Sequence, residues 1–363
     1  MKIRWRLSVF CILLALTCVV SVGRIYAADA VKQDVKFTTN ISQDELDKIE
    51  GKTDDDSLVV DLYRVAEIEW DGTIGKYLFS SEEPTIMNLF RDSEAFEEKE
   101  GRYYVKGEYT DGERSEELAD ALEGLAAQFA EIVLKNDSGF GPVDHASVNA
   151  MDATTLDRAL YIAVTRPAGY SDLDDYLVND NDECKTFANS FDLVYTFDPI
   201  LIPVTKEDFT ISIKYSTDTR YGDLKIVKIL ERIVVDNPGT FVFHVTAQKE
   251  GKKVYEDYHS FTFYDAGQQE LVIEGKIPMG ATVTVTEEYS GSTYALKSVE
   301  LSSGEAPLVI LPADEEGNIA TATFTNDFSD THTKGYGVRN EYDVIEGVLT
   351  FNRNDLKKGG TES

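Results

Sequence analysis

The 363-residue sequence has only three cysteines, and two of them, Cys11 and Cys18, lie in an apolar segment near the N-terminus. This segment follows the basic start MKIRWR and precedes the small residues of YAADA, which is the pattern of a cleaved signal peptide over residues 1–30. A retained membrane anchor is the alternative, but Arg24 ends the apolar run early. Cleavage leaves Cys184 alone, and one cysteine cannot form a disulfide within its own chain. We therefore predict a secreted protein that is stabilised by packing or by a crosslink other than a disulfide.

Basic residues are also scarce, since 35 lysines and arginines stand against 66 aspartates and glutamates, a formal net charge of −31. Residues 1–30 hold four basic residues and one acidic residue, so the chain without them carries −34. Such a surface repels a phosphate backbone, which argues against nucleic acid as a partner. No later apolar run is long enough to cross a bilayer, so we expect no membrane span after signal cleavage.

The residues that usually carry catalysis or metal binding are few. The sequence has four histidines, and it shows no H-x-x-x-H zinc spacing, no Ser-His-Asp arrangement and no Gly-rich phosphate loop. We therefore predict no cofactor, no metal and no enzymatic turnover. The acidic segment 172–183 leaves calcium binding as an alternative, but it lacks spaced ligands around a central glycine, which favours a solvated loop.

The remaining length of about 335 residues suits two domains. Residues 31–215 contain strand-like segments and one amphipathic helix at 115–139, which Ser115 can cap and Gly139 can end. The strand-like segments are 57–70, 101–112, 159–167 and 190–204. Residues 31–57 are polar and lead into the first of these strands.

Residues 220–328 are almost all strand, with short Gly-rich turns, as in a β-sandwich. The polar tail 329–363 has one strand-like piece, GVLTFN. We predict a mainly β fold of two tandem, Ig-like β-sandwich domains, the first with an inserted α-helix, and we place the domain boundary between residues 205 and 222.

Three strands of the second predicted domain carry a polar residue where the alternation calls for a buried one. The three segments are LKIVK, VTVTE and ATFTN. In each of them the first, third and fifth residues share one face of the strand; the first two of these are apolar, and the last is Lys228, Glu287 or Asn326. A buried lysine or glutamate is costly alone, but together these residues can react. A neutral Lys228 amine can attack the Asn326 carboxamide and expel ammonia, with Glu287 as the acid that shuttles protons. The alternative is that all three lie at strand ends and reach water.

These segments, with LVIEGKIPMGATVTVTEEY, resemble the B-type repeat of the Gram-positive collagen adhesin, the Cna B-type domain, over residues 223–328. The resemblance implies an isopeptide bond between Lys228 and Asn326, with Glu287 as the catalytic acid. Two positions depart from the family pattern, because Lys276 replaces a leucine and Val283 replaces an aromatic residue.

Residues 31–215 are more loosely similar to the N-terminal domain of Gram-positive pilin subunits, through LYRVAEIE, ALYIAVT and YTFDPILIPVTK. Arg64 replaces the usual lysine and stays protonated, so this position cannot form an isopeptide. Lys206 lies near the place of the family's acceptor lysine and is a candidate intersubunit acceptor, although Thr205 replaces the expected proline. The sequence has no L-P-x-T-G motif, so we expect that sortase does not attach the chain as written by its C-terminus.

The resemblance implies an extracellular, non-enzymatic protein of the cell surface, a pilin-like structural subunit whose partners are other pilin or surface subunits. The alternative is a surface adhesin that binds a host or matrix protein or a glycan. A large exposed apolar patch on the first domain would favour the adhesin, and a bare sheet edge would favour subunit assembly.

Overall fold

The computed structural model describes residues 32–110, 114–135, 139–171, 175–180, 183–205, 208–234, 238–290, 293–304, 307–312, 319–329, 338–345 and 348–355. The predicted signal peptide therefore lies outside the described residues. The chain divides into two compact units, one up to Thr219 and one from Arg220. Strands dominate both units, which confirms the prediction of a mainly β fold.

The first unit is built mostly from short strands. Its described strands are β1 (Lys32–Thr38), β2 (Leu58–Asp71), β3 (Lys76–Ser80), β4 (Phe96–Lys99), β5 (Arg102–Val105), β6 (Asp144–Ser147), β7 (Thr154–Asp157), β8 (Leu160–Pro167), β9 (Leu177–Asp180), β10 (Glu183–Asn189), β11 (Leu193–Asp198), β12 (Ile200–Pro203), β13 (Phe209–Ser212) and β14 (Lys214–Thr219). Its described helices are α1 (Gln43–Leu46), α2 (Pro84–Asp92), α3 (Gly107–Thr110) and α4 (Ser115–Val133).

These strands form three sheets, in the orders β13-β1-β7, β14-β11-β10-β9 and β12-β8-β2-β3-β5-β4, with β6 also paired to β2. Two apolar cores result. One includes Phe79 of β3, Phe90 of α2 and Phe129 of α4, so the helices pack on the sheet that contains β2. The other includes Phe37 of β1 and Phe197 of β11.

The inserted helix is present but shorter than predicted. Helix α4 ends at Val133, well before Gly139, because the next residues include NDS, which favour caps and turns over a helix interior. The N-cap position is Arg114, which makes no side-chain capping bond, and not Ser115, which is the first helical residue, so the predicted cap position is wrong by one residue. The predicted apolar stripe is buried at Leu118, Leu122, Leu125, Phe129 and Val133.

Three strand predictions for the first unit also need correction. The segment 101–112 is strand only as far as β5 and then turns into α3. The segment 190–204 is two strands, β11 and β12, in different sheets, because Pro199 between them has no N–H for a ladder. Residues 32–38, predicted as a polar lead, form β1, whose alternating side chains are buried on one face.

The second unit is a β-sandwich followed by a hairpin. Its described strands are β15 (Tyr221–Leu230), β16 (Gly239–Lys249), β17 (Lys252–Phe263), β18 (Gly267–Pro278), β19 (Thr282–Tyr289), β20 (Tyr294–Leu301), β21 (Leu308–Val309), β22 (Ala320–Phe328), β23 (Val338–Ile345) and β24 (Val348–Asp355). The sandwich sheets are β18-β15-β22-β20 and β17-β16-β19-β21. The tail, predicted with one strand, has two, because β23 and β24 pair with each other.

The first and last strands of the sandwich are neighbours. Strand β15 pairs with β22 in parallel, from Leu224 opposite Ala320 to Leu230 opposite Asn326. Leu and Ile side chains of β15 and Ala and Phe side chains of β22 enter one core with residues of the opposite sheet, including Phe241 and Phe243 of β16. The two ends of the sandwich sequence are thus held side by side in one sheet.

Candidate functional site

The structure brings Lys228, Glu287 and Asn326 together inside the second unit. Lys228 lies on β15 and Asn326 on the neighbouring β22, while Glu287 lies on β19 of the opposite sheet. Lys228 follows the fully buried Leu224 and Ile226 on the same face of β15. All three polar side chains therefore enter the core of the sandwich from different strands.

Each polar group of this cluster contacts the other two residues. Lys228 Nζ donates to Glu287 Oε2 at 2.9 Å and also to Asn326 Oδ1. Asn326 Nδ2 donates to Glu287 Oε1 at 2.6 Å. Lys228 and Asn326 are 0% exposed, and the Glu287 side chain is 3% exposed. The cluster is thus closed to water and internally satisfied.

Burial sets the electrostatics of the lysine. Desolvation lowers the pKa of Lys228 below its ordinary value, and the hydrogen bond that Lys228 donates to Glu287 opposes this shift. Lys228 Nζ also lies 4.3 Å from the ring centroid of Phe241 and 5.8 Å from that of Phe243. The two ring faces favour the charged amine, but removal from water makes the amine lose its proton more easily than an exposed one, and it then becomes nucleophilic.

The arrangement places a nucleophile, a carboxamide and a proton carrier in mutual contact. One oxygen of Glu287 touches the lysine nitrogen, and the other touches the amide nitrogen that would leave as ammonia. A carboxyl group in this position can take a proton from one nitrogen and give a proton to the other. The held contact supplies the high effective concentration that an amine needs to attack an amide.

The other sequence-based candidates do not lie in this cluster. Lys206, the candidate intersubunit acceptor, lies outside the described residues, as does much of the acidic segment 172–183. In the part of the chain that the structure describes, no group of three or more His, Cys, Asp or Glu residues is arranged to hold a metal. Cys184 is buried as a free thiol, and burial raises its pKa to about 11.

The first unit contains a buried polar cluster that the sequence reasoning missed. Asp61 of β2 is 3% exposed. Its Oδ1 contacts His145 Nδ1 at 2.6 Å, and its Oδ2 accepts from Arg166 Nε at 2.7 Å. The available signal was a carboxylate in the middle of the apolar run LVVDLY.

Arg166 extends this cluster to the backbone, because its Nη1 donates to the carbonyl oxygens of Pro167, Ala168 and Tyr170.

Among the helices that the structure describes, none has the length and apolar character needed to cross a membrane.

Comparison with known proteins gives a family match within the second unit. Residues 224–329 match the family called domain of unknown function DUF5979. A search of curated proteins by sequence finds no match.

Several solved structures align with most of the chain. The major pilin T-13 of Streptococcus pyogenes is 10% identical, and the alignment covers 82% of this chain and 97% of that one, with a TM-score of 0.20. The minor pilin GBS52 of Streptococcus agalactiae is 12% identical, with 85% and 99% covered and a TM-score of 0.19. A streptococcal ancillary pilin is 14% identical, with 84% and 64% covered and a TM-score of 0.20. Alignments at these TM-scores do not indicate the function of this chain, so the function is inferred from its own residues.

Proposed function

We propose that this chain is an extracellular, pilin-like structural subunit of a Gram-positive surface fibre, and that its second unit forms an isopeptide bond between Lys228 and Asn326. The observation that carries the proposal is the buried contact of these two residues with each other and with Glu287. The bond forms once in each molecule during maturation, so the protein is not an enzyme with turnover.

The reaction follows from the contacts in the cluster. Glu287 Oε2 accepts a proton from Lys228 Nζ, and the neutral amine attacks Cγ of Asn326. The carboxyl group returns a proton to Nδ2, so the C–N bond of the carboxamide breaks and ammonia leaves. The attacking nitrogen, which is positively charged once it has bonded to Cγ, gives up one further proton through Glu287 to the departing ammonia, so an ammonium ion is released and Glu287 ends as the carboxylate with which it began. One amide bond forms and one breaks. The sum converts a lysine ammonium and a primary amide into a secondary amide and an ammonium ion.

The position of the bond suits a protein that carries tension. Lys228 and Asn326 lie on the neighbouring parallel strands β15 and β22, the first and last strands of the sandwich. A covalent link between these strands bears a pulling force that would otherwise load the ladder of hydrogen bonds. No reductant breaks this link, so it replaces a disulfide in a chain whose described part has one free cysteine.

The resemblance of residues 223–328 to the Cna B-type domain supports the same interpretation. We assign residues 220–328 to this class and residues 31–215 to an N-terminal pilin-like domain. The partners are other pilin or surface subunits, and Lys206 is the proposed acceptor for one of them. Sequence resemblance supports these assignments, and the geometry of the cluster supports the proposed bond.

Intact-mass measurement of the purified, mature chain tests the bond directly. We expect a mass lower than the sequence mass by one ammonia in the native protein, and the full mass in Glu287→Ala and Asn326→Ala. Glu288→Ala is the matched control, because Glu288 is the next residue on β19 and its side chain is half exposed. This control should lose ammonia like the native protein. A full mass in the native protein would overturn the proposal.

The subunit role needs a separate test on cells that produce the protein. Gold-labelled antibodies against the second unit should decorate fibres that extend from the cell surface. Diffuse labelling without fibres, together with binding of the purified chain to matrix proteins or glycans, would contradict the subunit role and favour the adhesin role.

A further inference from the structure

The amine of Lys228 has a third neighbour besides the two that react with it. A lysine ammonium has three N–H donors. Two point to Glu287 Oε2 and Asn326 Oδ1. The ring centroid of Phe241 lies 4.3 Å from Nζ and that of Phe243 lies 5.8 Å from it, both within the cation–π range of about 6 Å. Phe241 is the nearer ring and is therefore the main aromatic neighbour of the nitrogen.

The Phe241 ring is held in place by other aromatic residues. It is fully buried and packs edge-on against Phe263 at 5.7 Å and tilted against Tyr294 at 5.6 Å between centroids. The Tyr294 hydroxyl accepts a hydrogen bond from the Val234 backbone N–H at 3.2 Å. The two rings also close over Gly239, where a Cβ would lie 3.0 Å from a Tyr294 carbon and 3.2 Å from a Phe241 carbon. The ring therefore has little freedom to move away from Nζ.

We propose that Phe241 is a positioning residue for the crosslinking reaction, and that its ring face orients Lys228 Nζ toward the Asn326 carboxamide. This inference rests on the proposed function. The negative face of the ring attracts the positive nitrogen, and its apolar bulk keeps water from the third donor position.

The attraction does not slow the chemistry. Nζ is positive as the resting ammonium and becomes positive again as it bonds to the carbonyl carbon. The ring stabilises both states, so this effect largely cancels in the barrier. What remains is the orientation of the amine, and a poorly placed nucleophile reacts more slowly.

The rate of ammonia loss tests this role in the full mature chain. Chain isolated unreacted in denaturant is diluted to allow folding, and its mass is followed with time. Phe241→Leu keeps an apolar side chain but removes the ring face. Phe261→Leu is the matched control, because Phe261 belongs to the same core and packs on Phe243. We expect Phe241→Leu to lose ammonia roughly tenfold more slowly than Phe261→Leu, and equal rates would overturn the inference.

A titration separates orientation by the ring from a merely structural effect. In the Asn326→Ala background no bond can form, and the Lys228 Cε resonance reports the protonation of the amine. Phe241→Leu removes stabilisation of the ammonium and should lower the Lys228 pKa by about one unit. Phe261→Leu should leave it unchanged. Equal titration curves in the two variants would contradict a contact between the ring face and the ammonium.

A shape-preserving variant covers the case in which Phe241→Leu does not fold. Trifluorophenylalanine at position 241 keeps the ring size but withdraws charge from its face, so it should lower the Lys228 pKa in the Asn326→Ala background. The outcomes are distinguishable from failure of the proposed function. A native chain of full mass overturns the bond, while a native chain that loses ammonia with no difference between the two leucine variants overturns only the role of Phe241.

Discussion

The two units bury polar groups in different ways. In the second unit, Lys228, Glu287 and Asn326 come from three strands of two facing sheets. Glu287 is placed to transfer protons between the two nitrogens, and Lys228 is placed to bond to Asn326. In the first unit, Asp61 and Arg166 come from the adjacent strands β2 and β8 of one sheet. Because arginine stays protonated, this pair remains ionic. A buried lysine beside a carboxamide can become a covalent link, whereas a buried arginine beside a carboxylate stays a salt bridge.

The largest effect should follow loss of the link in the second unit. The proposed bond would join the side chains of Lys228 and Asn326, which hydrogen-bond each other across 98 residues of sequence. By the loop-entropy estimate for crosslinks, a closed loop of this size stabilises the folded state by about 4.7 kcal/mol. We expect Asn326→Ala to lower the free energy of unfolding of the second unit by about this amount.

Calorimetry of the full chain checks this prediction, because the two units should give separate transitions. Only the transition of the second unit should move to lower temperature. Glu288→Ala is the control and should move neither transition. A shift of both transitions in Asn326→Ala would mean that the crosslink stabilises more than its own unit.

The ionic cluster of the first unit should give the next largest effect. Asp61→Ala leaves the Arg166 side chain, which is 13% exposed, without its carboxylate. Removing one partner of a buried pair costs about 3 kcal/mol or more, so we expect a loss of about 3 kcal/mol in the first unit. Denaturant titration of Asp61→Ala against Asp152→Ala, an exposed aspartate, measures the difference. Equal stabilities would show that Arg166 is satisfied by its backbone partners alone.

The candidate site of the second unit was predictable because its strands alternate. Strands β15, β19 and β22 each have one face toward the core, so parity identifies Lys228, Glu287 and Asn326 as inward residues. Parity cannot tell which strands are neighbours, since that depends on tertiary packing. The sequence resemblance supplied the expected pairing, and the structure places the three side chains in contact.

The polar cluster of the first unit was missed for a physical reason. On β2, Val60, Asp61 and Leu62 are all buried, because this strand is covered on both faces. A strand covered on both faces has no alternation to read, so Asp61 did not stand out. Strand β1 was missed for the opposite reason, since its outward Lys32, Asp34 and Lys36 made the segment look like a polar leader.

A smaller effect of opposite sign is expected at Gln33 of β1. Gln33 is 2% exposed on the face that also buries Val35 and Phe37, opposite Leu156 of β7. Neither of its amide atoms has a hydrogen-bond partner among the described residues. An unsatisfied buried amide costs about 1–3 kcal/mol, so Gln33→Leu should stabilise the first unit by roughly 1 kcal/mol.

Denaturant titration of Gln33→Leu measures this gain. Gln43→Leu is the control, because Gln43 is exposed and should change stability little. Destabilisation by Gln33→Leu would show that the amide has a partner in solution. It would also remove the contrast between a satisfied polar core in the second unit and an unsatisfied amide in the first.

The smallest effect concerns the acid stability of the first unit. The hydrogen bond from Lys99 and that from the Thr73 backbone N–H lower the pKa of Asp71 from 3.8 to about 2. The native state therefore keeps this carboxylate charged at a pH where the unfolded chain has already taken up a proton. The resulting stabilisation is complete above pH 3.8 and is lost as the pH falls toward 2.

Acid unfolding of Lys99→Met tests this contribution. We expect the variant to be less stable than the native chain at neutral pH, and the difference to shrink between pH 4 and pH 2 as Asp71 takes up its proton in both proteins. The difference should be small, because solvent screens a single pair of this kind.

In the second unit Arg232 lowers the pKa of Asp327 in the same way, so Arg232→Met should show the same convergence there. If the crosslink supplies most of the stability of the second unit, that unit should melt at a higher temperature than the first unit in both variants at every pH. A first unit that melts above the second at low pH would contradict this expectation.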